Sequence, residues 1–293
     1  MNWIPCIGFA FAFLCHMFGV YLLKVGKVAI ANQRVIIINL ALSEMLSSCT
    51  QCINSVFAIN RTRSTFLLFF VATCGLVTRF VMLHLIVDRS MVIYFHLKYH
   101  LYFTKKRVKV ASLVLWLVSA SLSLGFSLVA QYKLSYWKVN IMIMYAYSAA
   151  DSIIILSSVI SYTHLFFVTV KSERNLRGTV RSSRIKILRK YKLPCLIIAT
   201  YIVFNFTGTV LVVIIFLRPQ VNEPMLVMYS VSVSLVIIGT ISDCFIYVIF
   251  QKDLRQYLFA LLTGTKWRHQ GTYRFTQPPI NSYSQQMSMT TAF

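Results

Sequence analysis

Seven long apolar stretches run through this chain, and 22 of its 29 Lys and Arg residues lie in every second gap between them or in the tail. The gap after the first stretch holds Lys24, Lys27 and Arg34, and the third gap holds Lys98, Lys105, Lys106, Arg107 and Lys109. The fifth, from Lys171 to Lys192, is the most basic of all. Only Arg61 and Arg63, then Lys133 and Lys138, then Arg218 occupy the gaps between these. Basic residues collect on the cytoplasmic side of a membrane, so this alternation predicts an external N-terminus and a cytosolic C-terminus. An odd number of spans agrees with that orientation.

The composition is 58% apolar with a mean hydropathy of +0.70. A water-soluble domain of this length would not tolerate so much apolar residue. Each span needs about 20 residues, and the apolar runs fall at 3–23, 35–59, 65–94, 108–130, 139–170, 191–217 and 224–250. The expected fold is therefore an all-α membrane protein, a seven-transmembrane helix bundle. Its domain covers residues 1–262 and ends in a short amphipathic helix over 252–262. Leu254, Leu258, Leu261 and Leu262 share one helical face there, which suits a helix lying on the inner leaflet. Residues 263–293 are rich in Gln, Ser, Thr and Pro and read as a disordered cytoplasmic tail. Met1-Asn2-Trp3 carries no basic n-region, so the first span reads as an uncleaved anchor.

The net charge of +22 sits beside the spans. It points to anionic lipid and an acidic cytoplasmic partner rather than to nucleic acid. Most cysteines fall inside the spans, where they read as small apolar packing residues rather than a disulfide framework. The six histidines show no metal-ligand spacing, and no nucleophile–base arrangement points to an enzyme.

Ionisable groups within a bilayer are costly and so mark candidate sites. Span two holds Glu44, span three Arg79, span five Asp151 and span seven Asp243; Asp88-Arg89 closes span three. Arg79 and Asp151 share a mid-depth level, which suits an ion pair, with Asp151 as a ligand contact the alternative.

Asp88-Arg89-Ser90 resembles the Asp-Arg-Tyr triplet of rhodopsin-like G-protein-coupled receptors. Trp116 follows Arg89 at the interval usual in that family. Asn39-Leu40-Ala41-Leu42-Ser43-Glu44 is similar to its span-two motif, with Glu for Asp, and Asp243-Cys244-Phe245-Ile246-Tyr247 to its span-seven motif, with Cys for Pro. Leu97-Lys98-Tyr99 and Leu254 also fall where the family would place them, and Phe204 matches its span-six Phe. The resemblance covers roughly residues 10–262 and implies a plasma-membrane receptor that passes the signal of a small extracellular ligand to heterotrimeric G proteins.

Several residues take roles from that resemblance. Asp88 and Arg89 would form the G-protein switch, with Tyr162 and Tyr247 meeting nearby when the inner side opens; an interfacial Arg snorkelling to headgroups is the plainer reading of Arg89. Glu44 and Asp243, with Thr78 and Thr240, would form a polar core able to hold a sodium ion, or else a hydrated cluster or a shared proton. Trp116 and Phe204 would be structural.

The chain also departs from the family. Ser64 stands where the span-three Cys would be, Thr207, Gly208 and Val210 replace the Cys, Trp and Pro of span six, and Ile154 replaces the Pro of span five. Val71 stands where amine receptors carry their Asp, and Ile237 where opsins carry the retinal Lys. Two other functions stay open: a seven-helix ion or proton transporter or channel built on the buried charges, and a receptor-like modulator that does not itself signal.

Overall fold

In the computed structural model the described residues are 3–25, 31–59, 64–95, 99–132, 136–175, 196–217, 223–250 and 252–263. All the regular elements among them are helices. In chain order these are α1 (Ile4–Val25), α2 (Ala31–Ile59), α3 (Thr65–Phe95), the one-turn α4 (Tyr99–Tyr102), α5 (Lys105–Tyr132) and α6 (Tyr136–Asn175). Then follow α7 (residues 196–217), α8 (Glu223–Phe250) and α9 (Lys252–Thr263). Seven of them, all but α4 and α9, are long and apolar enough to cross a membrane, and the stretches that qualify agree closely with the apolar runs of the sequence. The chain is thus a helical protein of multi-pass, integral-membrane type. The Asn60-Arg61-Thr62 sequence, a formal glycosylation acceptor, most of the Lys171–Lys192 run and the tail beyond Thr263 lie outside the described residues.

The seven helices form a ring with α3 at its middle. α1 packs on α2 and α8, α2 on α3 and α5, α3 on α5 and α6, α6 on α7, and α7 on α8. Over its apolar span 56% of α3 is buried, against 17% of α5, which makes α3 the axis of the bundle and α5 a peripheral strut. The outward faces are large and apolar. On α1, Ile4, Ile7, Phe11, Leu14, Phe18 and Tyr21 recur at helical spacing and are all exposed, while Ala12, His16 and Gly19 point inward. Lipid would satisfy such a surface, because a helix pairs its interior backbone polar groups within itself.

Small residues set the helix approaches, as is usual between helices in lipid. Ser112, Ser119, Ser123 and Ser127 are the buried stripe of α5. Ser64, at the position where the family would have cysteine, instead caps α3 by accepting the Leu67 N–H at 3.3 Å. The six described cysteines are all free thiols, Cys6 and Cys52 with their sulfurs 3.6 Å apart.

Among the described residues, helix α7 contains a π-helical turn. It covers Tyr201–Phe206, after which Thr207–Leu217 resumes as α-helix. No proline causes it; π-turns inside helices are one of the few sources of a helix bend. The α8 backbone presses against this turn: a Cβ on Gly239 would lie 2.7 Å from the Phe204 Cβ. One turn on, Ser232 donates a hydrogen bond to the Gly208 carbonyl at 2.8 Å.

The bundle unit runs from Met1 to Arg255, and the remainder of α9 belongs to a separate C-terminal unit.

Candidate functional site

Among the described residues, three polar clusters interrupt the apolar interior, on α3 or on the helices around it.

The first joins α3, α6 and α7 around Arg79. Its Nε lies 3.0 Å from Asp151 Oδ1, and its Nη2 donates to Asp151 Oδ2 at 3.2 Å. Nη2 also donates to the Thr209 hydroxyl at 3.0 Å and Nη1 to the Gly75 carbonyl at 3.1 Å. The guanidinium carbon sits 4.0 Å from the centre of the Tyr147 ring. Tyr201 donates its hydroxyl proton to Asp151, which is fully buried. Tyr147 in turn anchors to the Val71 and Ala72 carbonyls, 3.1 and 3.3 Å away. The planar fork of Arg matches a carboxylate, stacks on an aromatic face and still has donors to spare. Such a set of contacts is what a buried charge pair needs to offset its desolvation, although Arg79 Nε itself makes only the 3.0 Å ionic contact and no hydrogen bond. The expected Arg79–Asp151 ion pair is present, and α7 residues Tyr201 and Thr209 complete it. Both of those were invisible as partners in the sequence.

The second cluster joins α1, α2, α7 and α8. His16 is fully buried. Its Nε2 lies 2.7 Å from the Thr240 carbonyl, an acceptor only, so Nε2 carries a proton. Its Nδ1 lies 3.5 Å from Glu44 Oε2. The Glu44 side chain in turn neighbours the fully buried Asp243 carboxyl, whose Oδ1 accepts a hydrogen bond from the Thr200 hydroxyl at 2.7 Å. Glu44 and Asp243 are therefore brought together as expected, but Thr78 and Thr240 play other parts. Thr78 donates toward Cys74 O and Ser43 Oγ, 3.0 and 3.2 Å away, and the Thr240 hydroxyl bonds Val236 O at 2.8 Å. Thr240 serves the cluster through its carbonyl, which receives the His16 proton.

A sodium ion asks for a shell of oxygen ligands, as hard cations do. Here an imidazole nitrogen faces Glu44, one Asp243 oxygen holds Thr200, and the two threonine hydroxyls are engaged with helix carbonyls. Among the described residues no group of three or more His, Cys, Asp or Glu could hold a metal ion. The carboxyl groups of Glu44 and Asp243 are the hard oxygen ligands that this cluster would offer such an ion.

The third cluster closes α3. Arg89 Nε donates to Asp88 Oδ2 at 3.0 Å, with Nη2 on the same oxygen. Tyr99 of α4 donates to the other Asp88 oxygen, and its ring stacks on Phe103 with centroids 5.2 Å apart. Asp88, Arg89 and Tyr99 are all buried. Beside them the Ser90 and Ser161 hydroxyls meet at 2.6 Å, joining α3 to α6 one residue before Tyr162. The side chain of Tyr247 lies outside the described residues, as does any meeting of it with Tyr162. Trp116 is half-buried on α5, and Phe204 is half-buried within the π-turn.

His16 is a buried polar residue of the second cluster that sequence reasoning does not single out. A lone histidine in an apolar run offers no spacing signal, because its partners come from α2 and from a backbone carbonyl 224 residues away. In comparison with known proteins, the chain matches no family model and no curated protein.

Proposed function

We propose that this chain is a divergent rhodopsin-like receptor. In this reading it sits in the plasma membrane with its N-terminus outside, and passes the signal of a small extracellular ligand to a heterotrimeric G protein. The observation that carries the reading is the Asp88–Arg89 pair at the end of the central helix, held by Tyr99 of the next element. An arginine neutralised by its neighbour is a two-position switch. Released from Asp88, its fork can turn to hydroxyl or carbonyl acceptors and open a cavity at that end of the bundle. The π-turn of α7 supports the same reading, because such a turn is one of the few irregularities that can bend a membrane helix. The basic residues at the start of α5 would face an acidic G-protein surface. The α9 helix, with its leucine face, would lie on the inner leaflet.

The Arg79 cluster then belongs to the bundle's frame, tying α3, α6 and α7 at the level where ligand binding would be felt. The test is a cell-based screen of metabolite and peptide libraries against a panel of G-protein classes. A response present in the wild type and lost in Arg89→Ala at equal surface expression supports the proposal. Responses that are equal in both would sink it.

A second reading, a proton or ion transporter, draws on the buried titratable groups His16, Glu44 and Asp243. Flux across vesicles containing the purified protein separates the two: a receptor carries none.

A further inference from the structure

We propose that Cys6 and Cys52 are a site of covalent oxidation, at which a disulfide joins α1 to α2 at the end of the bundle that carries the N-terminus. The two residues are 46 positions apart in the chain, yet their sulfurs lie 3.6 Å from one another. Cys52 Sγ also donates to the Cys6 carbonyl at 3.5 Å. The Cys52 side chain is thus aimed across the helix interface at Cys6. A disulfide holds its sulfurs about 2.0 Å apart. The pair falls short of bonding by about 1.5 Å, a gap that small rotations of two Cβ–Sγ arms can close.

An oxidant can reach this pair. Both residues are partly exposed, whereas Cys74 and Cys244 are buried. Cys6 stands in the first turn of α1, just after Trp3, which is exposed and accepts the Ile7 N–H at 3.1 Å. A tryptophan at the end of a span suits the membrane–water interface, and so places Cys6 close to water. Cys49, one turn earlier on α2, is the competing partner for Cys52. The contacts favour Cys6, because the Cys52 sulfur meets both its sulfur and its carbonyl.

The N-terminal end of the bundle passes through the secretory lumen and then faces outward, and both compartments are oxidising. In this the proposal rests on the outward N-terminus of the reading above, and not on coupling to a G protein. The chemistry is thiol–disulfide exchange with a small disulfide such as oxidised glutathione. The thiolate of one cysteine attacks the oxidant, whose sulfur–sulfur bond breaks and releases one glutathione thiol. The second cysteine then attacks the protein sulfur of the mixed disulfide and expels the other glutathione. Two protein thiols lose two electrons and two protons, and the oxidant takes them up as two thiols. The product pins the start of α1 to α2; reduction releases it.

The test uses the full-length protein with an N-terminal epitope, expressed in cells. Free thiols are blocked with N-ethylmaleimide before lysis, and surface-labelled protein is purified without reductant. Trypsin can cut at Lys24, Lys27 and Arg34, between the two cysteines, so their peptides stay together only if they are bonded. Mass spectrometry should find the Cys6 and Cys52 peptides joined in most of this protein, with the epitope accessible on intact cells. Alkylation of both thiols should rise severalfold when cells are reduced before blocking. Reduced protein in lipid nanodiscs should regain the same bond with oxidised glutathione. Cys6→Ser or Cys52→Ser should abolish the bond; Cys49→Ser and Cys74→Ser should leave it. Alkylated, unbonded Cys6 and Cys52 in surface protein whose epitope is outside would overturn the proposal. So would a Cys49–Cys52 bond in its place, or no bond in nanodiscs. An epitope found inside, with the bond still forming in nanodiscs, would overturn the orientation and native oxidation with it. The wild-type measurements need no variant to fold, and an absence of G-protein coupling changes none of them.

Discussion

Arg79 and Asp151, seventy-two positions apart on α3 and α6, meet in a two-point ion pair with contacts of 3.0 and 3.2 Å. Groups from three helices support this pair: Thr209 and Gly75 accept from the guanidinium, Tyr201 donates to the carboxylate, and the Tyr147 ring lies under the cation. Removing one partner of such a buried pair typically costs about 3–5 kcal/mol, because the other charge is stranded, whereas removing both can be near neutral. Arg79→Leu and Asp151→Leu should each lower surface expression and melting temperature sharply. The Leu/Leu double variant should recover much of the loss. Adding Tyr201→Phe should recover more, since the phenol that served Asp151 is then not left unpaired. Additive losses in the double variant would exclude the pair as the cause.

Gly75 predicts a steric cost in the same cluster. A Cβ there would collide with the Tyr147 hydroxyl, which is fixed by its bonds to two α3 carbonyls and by the cation above the ring. Gly75→Ala should destabilise by about 1–3 kcal/mol, the usual range for overpacking. Thermal denaturation of the purified variant in nanodiscs reads this directly; a melting temperature equal to the wild type's would show that Tyr147 yields freely.

Topology should follow the basic gaps. Exchanging Lys105, Lys106 and Arg107 for Glu removes the positive cluster at the start of α5 and one structural contact, the Arg107 bond to the Tyr102 carbonyl at 2.8 Å. The expected outcome is a mixed orientation, detected as a C-terminal epitope partly accessible on intact cells. An epitope that stays fully internal, with signalling intact, would contradict this.

Much of this arrangement is legible in the sequence because hydropathy and charge are local properties. The seven spans need only a count of consecutive apolar residues, and Arg79–Asp151 needs only the rule that a buried charge seeks its opposite. Asp88–Arg89 is legible because both residues sit on one turn of one helix.

Features whose cause is distant were not legible. His16 acquires its meaning from the Thr240 carbonyl, and backbone carbonyls have no signature in side-chain identity. The π-turn at Tyr201–Phe206 has no Pro or Gly within it, and arises where α7 meets the bare Gly239 backbone of α8 and the Asp151 carboxylate draws in Tyr201. Thr78 and Thr240 are expected as oxygen neighbours of Glu44 and Asp243, and Thr240 faces the cluster through its carbonyl oxygen. Inside lipid, a threonine hydroxyl has a nearer acceptor in the carbonyl one turn back, and both take it.

In the proposed receptor, Asp88 and Tyr99 hold Arg89 in a resting position, and release of Arg89 can be read without knowing the ligand. Ligand-independent nucleotide exchange should be measured across a panel of G-protein classes for wild type, Tyr99→Phe, Asp88→Asn and Asp88→Asn/Arg89→Ala at matched surface expression. Freeing Arg89 should raise exchange severalfold in Asp88→Asn on at least one class, more modestly in Tyr99→Phe, and the added Arg89→Ala should return it to background. Background exchange from every class in all four proteins, despite normal delivery to the surface, would contradict the account.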